Sequence, residues 1–216
     1  TNTVVSTDRL EYLLTQVSSS TSTELQNRFR IYEFPQENQQ YIIGVDVAKG
    51  TGEHSSCIQI LKLKSMKPLK LKQVAAFEDN YTDIYMFAEI INRIGTYYNK
   101  AFVVLENNAE GAGVVNRLWW DYGYENLVNE GEKSTKLGVR ATRATKPKAV
   151  LLMKKLIEDL CLELPDESTV NQLLSFIDDG KGHFRGNDGA PDDLISALYW
   201  ACYTMEFDLF ESKATI

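Results

Sequence analysis

The sequence has little of what marks a membrane, secreted or zinc-binding protein. It contains no apolar run of roughly 18 residues, the length that a membrane span requires, and its polar N-terminus lacks a signal-peptide pattern. It has two histidines, and its three cysteines share no metal-ligand spacing. A Gly-x-x-x-x-Gly-Lys-Ser/Thr phosphate loop is also missing. We therefore expect no membrane partner, no zinc site and no P-loop ATPase in this chain, and the cysteines favour a reducing cytoplasm.

The charge of the chain is unevenly distributed. Its net charge of −7 by itself argues against a nucleic-acid binder. Residues 133–157, however, carry eight Lys or Arg and no acidic residue. This basic tract is either a solvated face or a phosphate-binding segment. The candidate DNA contacts are four residues of its first half and two of a predicted hairpin: Lys136, Arg140, Arg143, Lys146, Lys181 and Arg185.

Apolar periodicity predicts an α/β fold with a central mixed β-sheet flanked by helices. Residues 1–29 are predicted to be a connector with one short helix, because Leu10, Leu13, Leu14 and Val17 recur at helical spacing before a polar stretch. A single domain is predicted over 30–216. Its predicted strands are 30–33, 41–46, 56–63, 69–77, 101–106 and a weaker 125–129, and a hairpin is predicted at 178–189. Its predicted helices are 82–99, 112–122, 147–160, 169–177 and 192–207.

Acidic residues stand at the ends of predicted elements. Asp46 and Glu106 each end an apolar strand, and Asp192 and Asp193 follow Pro191 at the start of an apolar helix. Each of these acids alone fits a turn or a helix cap. Together they predict a shared site, because functional groups collect beside the carboxyl ends of strands in open α/β sheets. Two carboxylates 4 Å apart repel by about 4 kcal/mol at an effective dielectric near 20. Such a cluster therefore needs cations, and oxygen ligands favour Mg²⁺ or Mn²⁺.

Four motifs in this order give a specific resemblance: YIIGVDVAKGTG (41–52), FVVLENNAEGAGVVNRLW (102–119), TKPKAVLLMKKLIEDL (145–160) and GAPDDLISALYWA (189–201). The chain resembles the C-terminal nuclease domain of the tailed-bacteriophage terminase large subunit, which has an RNase H-like fold. The resemblance implies that Asp46, Glu106, Asp192 and Asp193 bind two Mg²⁺ or Mn²⁺ ions. Some relatives place a histidine just before the final acids. Here Gly189, Ala190 and Pro191 stand there, so His183 is predicted to be a hairpin residue.

The resemblance also implies a biological role. The expected activity is endonucleolytic cleavage of concatemeric double-stranded phage DNA during genome packaging, in the host-cell cytoplasm. Expected partners are the terminase small subunit and the portal protein. Terminases carry their ATPase before the nuclease, and this chain begins at Thr1 rather than at a methionine, so we expect it to belong to a longer protein.

Three other interpretations remain open at the level of sequence. Other RNase H-like nucleases, including resolvases, share the layout of acidic residues. The segment IIGVDVAKGTG (42–52) also resembles the first phosphate loop of actin-like and sugar-kinase-like nucleotide-binding domains. A non-catalytic DNA-docking module would use the acids only as caps.

Overall fold

The computed structural model describes residues 2–130 and 136–204, and these form a central mixed β-sheet with helices on both faces. The strands are β1 (Asn2–Thr3), β2 (Ser22–Glu24), β3 (Phe29–Ile31), β4 (Tyr41–Asp46), β5 (Ser56–Met66), β6 (Leu69–Asp79), β7 (Phe102–Leu105), β8 (Leu162–Glu163), β9 (Phe176–Asp178) and β10 (Phe184–Gly186). The helices are α1 (Thr7–Gln16), α2 (Ile84–Tyr97), α3 (Ala109–Asn116), α4 (Thr145–Glu158), α5 (Glu167–Leu174) and α6 (Asp193–Tyr203). The predicted α/β class is confirmed. Within the described ranges, no helix is both long enough and apolar enough to cross a bilayer.

The order of strands in the main sheet is β2-β3-β6-β5-β4-β7, with β8 beside β6. Strands β4, β5 and β6 run antiparallel, whereas β7 runs parallel to β4. Successive side chains of a strand point to opposite faces. In β4, Ile42 therefore packs in one core with α4 and α6, whereas Ile43 and Val45 pack in the other with α2 and α3.

Helix α6 packs unusually closely on the middle of the sheet. A Cβ built on Gly44 of β4 would lie 1.9 Å from the carbonyl oxygen of Ala197 and 2.7 Å from the Cβ of Ala201. Only glycine allows this approach. Because Ala197 lies against the centre of β4, the first turn of α6 reaches the end of that strand.

Residues before position 30 pack on the rest of the chain. The predicted short helix is α1, and Leu10 and Leu13 are buried in the same core as α4 and α6. Strand β1 pairs with β9, and the Val4 amide donates to the Phe176 carbonyl at 2.9 Å. The division of the chain at residue 30 stays a prediction, but its first segment contributes to the common core.

Three element predictions need correction. The helix predicted to run through Ile177 ends at Leu174, because Phe176 and Ile177 are buried in β9 between β1 and β10. The helix predicted at 112–122 starts at Ala109 and continues into a π-helical turn, Arg117–Asp121. The weak strand predicted at 125–129 is reduced to isolated bridges such as Val103↔Leu127.

Candidate metal centre

The first two predicted acids lie next to each other because their strands are parallel neighbours. Val45 of β4 pairs with Leu105 of β7, and Asp46 and Glu106 are the residues that follow this pair. Neighbouring strands are about 4.8 Å apart. Both carboxyl groups therefore stand at the carboxyl end of the sheet, where open α/β sheets place their functional groups.

The remaining two acids stand at the start of α6, Asp192 at its N-cap position and Asp193 in its first turn. The Asp193 carboxylate accepts a hydrogen bond from the backbone N–H of Ser55 at 3.1 Å, which ties α6 to the loop after β4. The Asp192 carboxylate accepts one from the backbone N–H of Gly186 at 3.0 Å, at the end of the β9–β10 hairpin. The four acids thus stand at the ends of two neighbouring strands and at the start of α6. That they form one metal site stays a prediction.

The electrostatics of this cluster are those of crowded carboxylates. Burial first, and then the negative charges of Asp193, Glu106 and Asp192, raise the pKa of Asp46 to about 8, against the positive charge of Lys146. Burial also raises the pKa of Glu106, and Lys146 opposes this shift. Burial raises the pKa of Asp193, a shift that the hydrogen bond from Ser55 opposes and the charge of Asp192 reinforces. Close cations would stabilise the ionised forms of all these groups.

Asp46 and Asp193 line a cavity of about 350 Å³ with polar residues that were not singled out in the sequence, namely Lys49, Glu53, His54 and Glu110. His54 Nδ1 lies 3.8 Å from Asp193, and Lys49 Nζ lies 3.9 Å from Glu110. Their positions in the sequence could have indicated them, because Lys49, Glu53 and His54 lie in the loop after β4 and Glu110 follows Glu106 by four residues.

The basic tract reaches this site. Val139 forms a parallel bridge with Glu106, so the tract passes the end of β7 before α4 begins. Lys146, in the first turn of α4, is half-buried, and its Nζ lies 5.9 Å from the ring centroid of Tyr199. The positive charge of Lys146 opposes the upward pKa shifts of Asp46 and Glu106. Lys133 lies outside the described residues.

The other candidate DNA contacts differ in exposure and pairing. Lys136, Arg140, Arg143, Lys181 and Arg185 are exposed. Residues 62–72 form a second basic run, with lysines at 62, 64, 67, 70 and 72. In this run, by contrast, Lys62 and Lys72 form ion pairs with Glu33, and Lys64 pairs with Glu163. His183 lies in the turn between β9 and β10, as predicted, with its Nδ1 2.9 Å from the Asp179 carboxylate.

The donor set fits a hard divalent cation held with the help of water. All four predicted ligands supply oxygen, which suits Mg²⁺ and Mn²⁺. In residues 2–130 and 136–204, no group of three or more His, Cys, Asp or Glu side chains converges closely enough to hold an ion unaided. Mg²⁺ does not need such a cage, because it keeps several waters and is usually bound through one or two carboxylates.

Comparison with known proteins gives a consistent result. The family model described as the Terminase RNaseH-like domain matches residues 43–204. The magnesium-bound large terminase nuclease of thermophilic phage G20c is similar in structure, with a TM-score of 0.69, 16% identity and coverage of 90% of this chain and 95% of that one. The large terminase nuclease domain of Thermus phage P74-26 matches with a TM-score of 0.65 and 16% identity, covering 93% of this chain and 96% of that one. The large terminase nuclease domain of bacteriophage SPP1 with bound Mn matches with a TM-score of 0.53 and 9% identity, covering 89% of this chain and 97% of that one.

Proposed function

We propose that this chain, which belongs to the terminase RNaseH-like domain family, is a divalent-metal-dependent endonuclease. In this proposal it hydrolyses phosphodiester bonds of DNA. The observation that carries the proposal is that Asp46 and Glu106 follow paired residues of β4 and β7 and that the negative charges of Glu106, Asp192 and Asp193 all raise the pKa of the buried Asp46. Similar domains from phages G20c and SPP1 have been seen with bound magnesium and Mn, which supports the same class of cofactor here.

In this proposal the four acids would hold two Mg²⁺ or Mn²⁺ ions, with Asp46 as the acid on which the charges of the other three all act. When bound, such a pair of ions activates the attacking water and stabilises the leaving oxygen of a phosphodiester. The residues of the chain do the rest. Ser55 and Gly186 orient Asp193 and Asp192 through their backbone N–H groups, and Lys146 offsets part of the carboxylate charge.

The DNA path in this proposal follows the basic tract past the cluster. Lys136, Arg140 and Arg143 are exposed, and the charge of Lys146 acts on Asp46 and Glu106, so a DNA backbone bound along these residues would pass the acids. Lys181 and Arg185 extend this path on the hairpin whose last strand contacts Asp192. Contacts of this type go to phosphates and carry no sequence information. We therefore propose sequence-tolerant binding of double-stranded DNA, with site choice left to partners.

The biological setting that follows is cleavage of concatemeric phage DNA during genome packaging in the host-cell cytoplasm. In this setting we propose a terminase small subunit and a portal protein as the partners. We also propose that residues 1–29, which pack on the nuclease core, lead from an ATPase in a longer protein. Family membership supports each of these points.

The proposal is tested by incubating the chain with supercoiled plasmid, linear duplex and a four-way DNA junction. With Mn²⁺ or Mg²⁺ we expect nicked and linear products from the plasmid, and a chelator should stop the reaction. A resolvase would cut only the junction, a nucleotide-binding domain would bind ATP without cutting, and a docking module would retain DNA uncut. Plasmid cleavage no greater with either ion than with the chelator would overturn the proposed nuclease activity.

A further inference from the structure

Helix α6 begins in an unusual way for a helix preceded by aspartate. Asp192 occupies its N-cap position, where an aspartate side chain normally accepts a hydrogen bond from the second or third N–H of the helix. Here the Asp192 side chain makes no capping bond to the helix. Its Oδ2 accepts instead from Gly186, six residues earlier and outside the helix.

A residue of another helix performs the capping. Leu194 carries the second N–H of α6, and that N–H donates to Oε1 of Gln172 at 2.9 Å. Gln172 lies in the last turn of α5. The carbonyl oxygen of the same leucine accepts from Nε2 of Gln59 at 3.3 Å. The backbone N–H and C=O of Leu194 are therefore both hydrogen-bonded to side chains outside α6.

The supports of this arrangement are themselves fixed. Gln59 is fully buried in β5, and its Nε2 also donates to the Thr169 hydroxyl at 2.9 Å. Thr169 lies in α5 one turn before Gln172, and its backbone N–H is capped by the buried Asp166 carboxylate at 3.0 Å. Gln172 thus extends from an anchored helix, so its amide oxygen is pre-positioned for Leu194.

We propose that Gln172 is a positioning residue that acts as a substitute cap for α6 and so keeps the Asp192 carboxylate available to a divalent cation. This inference rests on the proposed function, because it assumes that Asp192 binds metal. Without the Gln172 oxygen, the Leu194 N–H would lack its acceptor, and an unmet buried donor costs about 1–3 kcal/mol. The acceptor that an N-cap aspartate ordinarily supplies to this N–H is its own carboxylate, here that of Asp192. If the Asp192 carboxylate accepted a hydrogen bond from the Leu194 N–H, it would no longer be oriented to bind the metal.

The test is titration calorimetry with Mn²⁺ on the folded protein well below its melting temperature. Loss of a group that orients a ligand typically weakens metal binding by 10–100-fold. Gln172→Leu should weaken Mn²⁺ binding by about this factor. Gln172→Glu keeps an oxygen acceptor at the same distance from the backbone, so its dissociation constant for Mn²⁺ should remain within about threefold of the wild-type value. Asn171→Leu, an exposed neighbour on α5, is the matched control and should bind as wild type does. If Gln172→Leu does not fold, Gln172→Asn makes the same test because its amide is one bond too short.

The outcomes separate the two proposals. A wild-type chain that binds no Mn²⁺ would overturn the metal site and the role of Gln172 together. A wild type that binds while Gln172→Leu binds equally well, even with a lower melting temperature, would overturn only the positioning role. Equal weakening in Asn171→Leu would do the same, since the effect would then not be specific to the cap.

Discussion

Replacing Asp46 by asparagine is expected to lower the rate of DNA cleavage by at least about a thousandfold, which corresponds to about 4 kcal/mol of lost transition-state stabilisation. Asp46 interacts with all three other acids, so its loss disturbs every proposed ligand pair. Glu106→Gln and Asp193→Asn should each have an effect of similar direction. Plasmid cleavage with Mn²⁺ measures the rates, and Glu163→Gln, which removes a carboxylate of β8 that pairs with Lys64, is the control. Wild-type activity in Asp46→Asn would remove Asp46 from the catalytic set.

The same substitution should stabilise the metal-free protein. Because the pKa of Asp46 is about 8 in the folded state and its ordinary value is 3.8, the folded protein holds a proton that the unfolded chain loses. The contribution of the Asp46 proton to the free energy of unfolding is fully present below about pH 4. It is lost as the pH rises towards 8, by at most about 1.4 kcal/mol for each pH unit. Urea unfolding in chelator should therefore show that the stability of Asp46→Asn relative to wild type is greater at pH 8 than at pH 5. An equal difference at both pH values would contradict the raised pKa of Asp46, whose first cause is burial and whose second is the charge of the other acids.

The second large effect is expected on DNA binding. Replacing Lys136, Arg140, Arg143 and Lys146 by glutamine should weaken binding strongly and without sequence preference. Each phosphate that the variant no longer neutralises should flatten the slope of log affinity against log salt by about 0.9 on duplex DNA. If all four side chains neutralise phosphates, the slope should therefore change by nearly four. Fluorescence anisotropy over a salt series, in the absence of divalent ions, measures it.

A triple variant of the second basic run is the control for this prediction. Lys62, Lys64 and Lys72 are paired with Glu33 and Glu163, so their replacement by glutamine should alter the slope much less. If the variant of the basic tract keeps the wild-type slope, residues 136–146 are only a solvated face, and the DNA path lies elsewhere.

The placement of the four acids could be predicted from the sequence, because the signals that indicate it are local. The uninterrupted apolar segments of β4 and β7 identify buried strands, and an acid directly after such a strand lies at the edge of the sheet. Their pairing as parallel neighbours places Asp46 beside Glu106. The start of α6 was visible in Pro191 and the two aspartates that follow it, as expected for a helix N-terminus.

The rest depends on contacts between distant parts of the chain. Gln172 caps a helix 22 positions later in the sequence, and nothing in its own neighbourhood indicates that partner. Lys146 looks like any other member of a basic run until α4 packs on α6 beside Tyr199. Phe176 and Ile177 continue a helical pattern, but pairing with β1 and β10 makes them a strand, because tertiary contacts override local propensity.

The most direct measurement is calorimetric titration of the wild-type chain with Mn²⁺ near pH 7 in two buffers that differ in ionisation enthalpy. Since the pKa of Asp46 is about 8, this carboxyl is mostly protonated at that pH, and metal binding must displace its proton. We expect saturable binding at or below millimolar Mn²⁺, an apparent heat that differs between the buffers, and loss of the buffer-dependent part in Asp46→Asn. No saturable heat from the wild type at millimolar Mn²⁺ would contradict the existence of a metal centre formed by Asp46, Glu106, Asp192 and Asp193.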